Sequence, residues 1–255
     1  DLNDQTPSWT TGSSINVAEG ATAVATLAAT DTDSADSGGL TYSLITNDAS
    51  GTVFALSGTS LTMTAQDYEN PACGGSSDSL SCTVVVRVAD AASQSPSDLT
   101  ITVSVTDQND QTPAVSVSAT YNHAEAASTT WQTFTITDSD TSGTYSCTLG
   151  GTDAADFSAT ISGKVCTVAW AANPDYETPA DNGGNNVYDI TIAFSDGTND
   201  LAAQTTAVTV TDVNDQTPSV SVSATYNHAE AASTTWQTFT ITDSDTSGTY
   251  TCTLG

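Results

Sequence analysis

Valine, isoleucine and threonine gather in short runs along the chain, at residues 83–88, 99–105, 189–194 and 207–211, with glycine, asparagine, aspartate and proline between the runs. Within a run apolar and polar residues tend to alternate, and a period of two sends successive side chains to opposite faces of a strand. No stretch carries the 3.6-residue period of a helix. Short strands with turn signals about every 8–12 positions predict an all-β chain built of β-sandwiches. The space between the sheets is then expected to be filled by Leu27, Tyr42, Leu44, Phe54 and Leu61 in the first part of the chain. In the second part it falls to Trp131, Phe134, Ile136, Tyr145 and Phe157. Trp9 and Trp170 admit two readings, as core or as an aromatic platform for a ligand.

Superimposed on the strands is a long repeat. The frame Asp-x-Asn-Asp-x-x-Pro begins at Asp1, Asp107 and Asp212, a spacing of about 105 residues. That is too long for a solenoid unit and the right size for one independently folded domain. The chain therefore divides into a linker (1–7), a first repeat (8–106), a second linker (107–113), a second repeat (114–211), a third linker (212–218) and the N-terminal part of a third repeat (219–255). Residues 215–255 copy 110–150 with two differences, Ser219 standing for Ala114 and Thr251 for Ser146. Neighbours this similar are expected of a spacer or fibre in which every unit does the same mechanical work. With no initiating Met and no leader-like stretch, the sequence reads as an interior segment. Residues 219–255 hold about three strands, too few to cover an apolar face, and are expected to be completed by more chain or by another molecule.

The charge balance narrows the function. Thirty acidic residues stand against two basic ones, Arg87 and Lys164, for a formal charge of −28. Such a chain repels nucleic acid and anionic membrane alike. Its charge is carried either by bound cations or by a uniformly acidic, halophile-like surface. No apolar run approaches the roughly 18 residues of a membrane span.

Five cysteines are distributed so that each complete repeat holds a potential internal pair, Cys73 with Cys82 and Cys147 with Cys166, while Cys252 is the copy of Cys147. Disulfides point to an oxidising compartment, and none of the five has the spacing of a zinc site.

Catalytic chemistry has little to build on. The histidines are His123 and His228, one position in two copies. There is no Gly-x-Ser-x-Gly, no His-Glu-x-x-His and no P-loop, so the segment is not expected to be an enzyme. An EF-hand loop starting at Asp31 fails on spacing, because Asp36 stands where that loop needs glycine. Sequons for N-glycosylation are absent, whereas the dense Ser/Thr surface with Thr-Pro pairs would suit O-glycans. Asp153 reads as an ordinary loop acid.

Four motifs recur in fixed order. The first repeat has Ala18-Glu19-Gly20, Asp31-Thr32-Asp33, Asp67-Tyr68-Glu69 and Asp107-Gln108-Asn109-Asp110-Gln111-Thr112-Pro113. The second has Ala124-Glu125-Ala126, Asp138-Ser139-Asp140, Asp175-Tyr176-Glu177 and Asp212-Val213-Asn214-Asp215-Gln216-Thr217-Pro218. In these motifs the chain resembles a tandem array of cadherin-type repeats, over essentially its whole length. The resemblance implies tandem Greek-key β-sandwich domains of cadherin- or immunoglobulin-like architecture, joined by short calcium-binding linkers with about three Ca²⁺ ions at each complete one. It favours calcium over a merely soluble acidic surface.

Residue by residue, the resemblance implies that the middle linker draws on Glu19, Asp67 and Glu69, on Asp107, Asn109 and Asp110 by side chain, on Gln108 and Gln111 by carbonyl, and on Asp138, Asp140 and Asp196. Eight of these are carboxylates, close to balancing the charge of three divalent ions. The next linker has Glu125, Asp175, Glu177, Asp212, Asn214, Asp215, Asp243 and Asp245, with Val213 and Gln216 by carbonyl. The first has half a set, Asp1, Asn3, Asp4, Asp31, Asp33 and Asp90. The chain departs from the family pattern in carrying Gln5, Gln111 and Gln216 where Asn is usual, and Asp-Tyr-Glu where Asp-Arg-Glu is usual. The resemblance implies a secreted or cell-surface protein: either a calcium-stiffened stalk or fibre of self-associating copies, or an adhesion module for a partner protein or carbohydrate.

Overall fold

The computed structural model describes residues 5–32, 39–47, 51–73, 75–76, 79–90, 96–231 and 234–253. Almost all regular structure is β, about 45% of the chain, and the one helical element among the described residues is a single 3-10 turn, Ala154–Asp156. The expected runs all lie inside strands: Ser79–Ala89, Ser97–Thr106, Val187–Ser195 and Asp200–Thr211. No helix among the described residues is long and apolar enough to cross a membrane.

The chain forms two compact units, one of residues 1–111 with 138–143, the other of residues 112–137 with 144–255. In the first unit one sheet orders its strands Ser14–Ala18, Ser97–Thr106, Ser79–Ala89, Thr41–Thr46, and another orders Ala23–Thr26, Ser60–Met63, Phe54–Ser57. Ser14–Ala18 runs parallel to Ser97–Thr106, with Thr106 opposite Ala18, while the neighbouring pairs are antiparallel. Between the sheets lie Leu27, Phe54, Leu61, Val84, Val86, Ile101 and Val103, all buried. Tyr42 and Leu44 pack against this core from its edge. Trp9 also packs on the core and donates its indole N–H to the Ser97 carbonyl at 3.1 Å.

The second unit repeats the plan. Its sheets order Thr120–Ala124, Asp200–Thr211, Val187–Ser195, Ser146–Gly150, and Thr130–Thr135, Val165–Trp170, Phe157–Ser162. Again the first strand pairs parallel with the last, Ala124 opposite Thr211. Trp131, Phe134, Ile136 and Phe157 fill the interior as expected, with Tyr145 partly buried beside them. Trp170 settles as core: it is 4% exposed, stacked 4.2 Å from Phe157 and edge-on to Tyr188 at 4.9 Å. A buried indole has no free face for a ligand, so the platform reading fails there.

The disulfides join Cys73 to Cys82 and Cys147 to Cys166, Cα atoms 5.6 and 6.1 Å apart, and Cys252 is free and exposed. Residues 219–253 include one short ladder, Ser219–Val220 with Ile241–Thr242, and leave Val222, Trp236 and Tyr250 exposed.

Asp153 departs from the sequence reading. It is 4% exposed, and its carboxylate accepts the N–H of Asn182 at 2.8 Å and of Asp189 at 2.7 Å, tying the loop after Asp181 to the sheet. Asp181 acts in parallel on the N–H groups of Asn185 and Asn186. A short acid between turn residues gives no sign in sequence of which amides it will meet. Replacing Asp153 by Ala strands two donors, and the expected loss is about 2 kcal/mol in urea denaturation. A loss below about 0.5 kcal/mol would show that the carboxylate is not a staple.

Candidate metal centre

The parallel pairing of Ser14–Ala18 with Ser97–Thr106 builds the site. With Ala18 in register with Thr106, the next residue on each strand, Glu19 and Asp107, is delivered to the same end of the sandwich. Gly20, in the left-handed region at φ 72°, turns the chain away immediately after Glu19. In the second unit Ala126 takes that conformation at φ 54°, a conformation a Cβ disfavours by about 1 kcal/mol.

Glu19 is a staple. One carboxylate oxygen accepts the Gln108 N–H at 2.5 Å and the other the Tyr68 N–H at 2.8 Å, so it fixes both the linker and the Asp-Tyr-Glu turn. Asp67 shapes that turn by accepting the N–H groups of Glu69 and Asn70 at 3.0 and 3.1 Å. Glu69 is thereby aimed inward. Both of its carboxylate oxygens are shielded from water and accept no hydrogen bond from a neighbour. Asp107 is divided: Oδ2 accepts from the backbone N–H and hydroxyl of Thr141 and from the Ser142 N–H, while Oδ1 is buried without a partner. Asp140 is buried and accepts the Gln111 N–H at 2.9 Å, and Asp138 accepts the Asp140 N–H at 3.2 Å. These bonds to Asp107 and Gln111 place residues 138–143 in the first unit. Asp110 accepts from the Gln111 side chain, and the Gln108 carbonyl accepts the Asp110 N–H.

Glu69 is the hub. Its ligand atoms lie within 4.8 Å of those of Glu19 and Asp107 on one side, and of Asp110 and Asp140 on the other. The side chain of Asp67 belongs to neither group, and Asn109 Oδ1 is buried in the linker.

The second unit rebuilds this with the equivalent residues of its own motifs. Glu125, 3% exposed, accepts the N–H of Val213 and of Tyr176, both at 2.6 Å. Glu177 has both oxygens buried and without partners, and it joins Glu125 with Asp175 on one side and Asp212 with Asp245 on the other. Asp212 repeats the split of Asp107, its Oδ2 held by the N–H and hydroxyl of Thr246 and its Oδ1 bare. Asp245 accepts the Gln216 N–H, Asp243 accepts the Asp245 N–H and the Tyr250 hydroxyl, and Asp215 accepts the Gln216 side chain. Asp215 lies outside the close groups among the described residues.

Of the remaining expected ligands, Asp196 is fully buried, its carboxylate accepting the N–H groups of Thr198 and Asn199 at 2.7 and 2.6 Å. Asp90 is 2% exposed, and neither it nor Asp31 belongs to a close group among the described residues. Asp1, Asn3, Asp4 and Asp33 lie outside the described residues. Sequence reasoning missed Thr141, Ser142 and Thr246. The signal was the Asp-Ser-Asp-Thr-Ser-Gly run at 138–143, copied whole at 243–248, whose hydroxyls follow directly on the acids.

Arg87 is paired with Asp98 at 2.6 Å, Lys164 lies over the Tyr145 ring, and the charged neighbours acting on Glu69 and Glu177 are all acids. Burial, helped by the charges of Glu19 and Asp140, raises the Glu69 carboxyl to about 7. Glu177 is raised to about 7 by the same cause, with Glu125, Asp245 and Asp212 as its charged neighbours. Burial, then nearby acids, also raises Asp140 and Asp245. At Asp107 burial raises the value, but the bonds from Thr141 and Ser142 outweigh it and hold the group low; at Asp212 the Thr246 hydroxyl leads in the same direction. An all-oxygen donor set, bare buried oxygens and uncompensated negative charge fit a hard divalent cation of the calcium type.

No family model matches the chain, and no curated protein matches it. Solved structures do. A protocadherin gammaB7 cis-dimer structure of domains EC3–6 superposes with a TM-score of 0.62 at 21% identity, covering 95% of this chain and 57% of that one. The human desmocollin-1 ectodomain gives 0.67 at 17%, covering 84% and 43%, and domains EC22–24 of mouse cadherin-23 give 0.59 at 23%, covering 84% and 69%. The chain thus spans about half the length of the first two.

Proton linkage at the two hubs has a defined sign. Folded Glu69 and Glu177 hold protons up to about pH 7, whereas the unfolded groups release them near 4.5. Their contribution to stability is therefore complete below 4.5 and is lost as pH rises through 7. In chelator the melting temperature is expected to fall between about pH 5 and pH 8. A flat or rising profile would show that these carboxylates are not held apart from water. With strands, sheet order and the paired carboxylate ends all in place, the fold is that of cadherin extracellular domains.

Proposed function

We propose that this chain is an extracellular, calcium-binding structural segment, in which Ca²⁺ ties the linkers at 107–113 and 212–218 to the carboxylates around Glu69 and Glu177 and so stiffens the protein as a stalk or fibre. The observation that carries this is the pair of hubs, each in an Asp-Tyr-Glu motif, whose oxygens are bare, buried and surrounded by further acids. Glu19, Glu69, Asp107, Asp110 and Asp140 would hold ions in the first unit, and Glu125, Asp175, Glu177, Asp212 and Asp245 in the second. Asp67, Asp138, Asp215, Asp243 and the buried Asp196 are assigned to the same sets by the sequence pattern, as are Asn109, Asn214 and the carbonyls of Gln108, Gln111, Val213 and Gln216. Asp1, Asn3, Asp4, Asp31, Asp33 and Asp90 would form a further half-set.

Calcium supplies positive charge that lets these carboxylates remain ionised at close range. The protein's own part is to hold them in place: Glu19 and Glu125 fix the backbone, and the Asp-Tyr-Glu turns aim the hubs. Near-identical repeats support the mechanical reading, and the two disulfides support an oxidising, extracellular setting. Self-association of copies and O-glycans on the Ser/Thr surface belong to the same proposal, and no catalytic role is assigned.

The alternative is a calcium-dependent adhesion module for a partner protein or carbohydrate. The likeness to a protocadherin cis-dimer favours self-recognition within that class. Negative-stain electron microscopy of the chain with calcium and with chelator tests the proposal against this alternative. Under the proposal, chelator broadens the distribution of bending along the particles, and an unchanged distribution refutes it. Concentration-dependent dimers in ultracentrifugation without any change in bending would move the assignment to adhesion.

A further inference from the structure

Asp107 and Asp212 differ from the other carboxylates of their sites in how they are held. In each, one oxygen is saturated by a threonine that supplies both its backbone N–H and its hydroxyl, at Thr141 N–H 2.8 Å and Thr246 N–H 2.9 Å, with Ser142 N–H adding a third bond at 3.1 Å in the first. The opposite oxygen is buried and bare in both. Hydrogen bonds on one oxygen fix the rotation of the carboxyl group, so the bare oxygen keeps its aim at the hub glutamate without an ion to hold it. A carboxylate without this restraint would rotate to bring both oxygens to water, the more so with like charges beside it.

We infer that Thr141 and Thr246 are positioning residues of the two cation sites: their hydroxyls pin one oxygen of Asp107 and Asp212 so that the other is preset as a ligand. The inference rests on the calcium reading given above. Valine has the same shape and keeps the backbone N–H, so it removes the hydroxyl bond alone. Serine keeps the bond and loses only the methyl.

The test is calcium titration by calorimetry on the chelator-stripped full chain, as wild type, as Thr141→Val/Thr246→Val and as Thr141→Ser/Thr246→Ser, with melting of each in chelator as the second readout. The valine pair is expected to bind calcium about 10-fold more weakly, the low end for loss of a group that orients a ligand, because the backbone bonds remain. The serine pair is expected to match wild type, and all three are expected to melt together in chelator. Wild-type affinity in the valine pair would overturn the inference and leave the calcium reading standing. So would equal weakening in the serine pair accompanied by a lower melting temperature in chelator, which would mark a merely structural role. A wild-type chain that takes up no calcium would sink the calcium reading, and the inference with it.

Discussion

Burying carboxylates next to one another without a basic partner is the constraint on which this structure turns. In water two such groups repel weakly, but shielding raises both their desolvation cost and their repulsion. Glu69 and Glu177 carry that burden most directly, with both oxygens bare and both groups raised to about 7. A fold does not concentrate unpaired charge of one sign at the same motif of two repeats for packing. The arrangement makes physical sense when a divalent cation supplies the missing charge, and the rest of the local architecture serves to hold the oxygens in reach of one.

That architecture begins in the sheets. Parallel pairing of Ser14–Ala18 with Ser97–Thr106 and of Thr120–Ala124 with Asp200–Thr211 brings Glu19 beside Asp107 and Glu125 beside Asp212, at positions distant in sequence. The cores beneath are ordinary sandwiches, and the second unit adds an aromatic cluster of Trp131, Phe157, Trp170 and Tyr188. Rigid sheets fix where the strand ends project, and the short hydrogen-bonded turns at Asp67 and Asp175 then direct the hub glutamates. The clustered carboxylates are concentrated where the strands end.

Much of this was legible in the sequence because it is periodic. Alternation at 83–88 and 99–105 gave the strands, and the spacing of the Asp-x-Asn-Asp-x-x-Pro frame gave the repeat. The pairing of Cys73 with Cys82 and of Cys147 with Cys166 followed from their distribution between repeats, and the structure has both. What stayed hidden depends on three-dimensional proximity. Trp170 could be core or platform until Phe157 and Tyr188 were seen to enclose it. Asp153 looked like any loop acid, yet it binds amides from residues 182 and 189. The hydroxyls of Thr141 and Thr246 were invisible for a related reason: in a chain this rich in threonine, composition cannot single out the two that face a carboxylate.

The most direct test of the central claim is diffraction from crystals of this chain grown in millimolar calcium, with anomalous scattering used to locate the ions. The account predicts calcium peaks within bonding distance of the carboxylate oxygens of both Glu69 and Glu177. Maps in which those oxygens are bonded only to water, with no anomalous peak beside them, would contradict it.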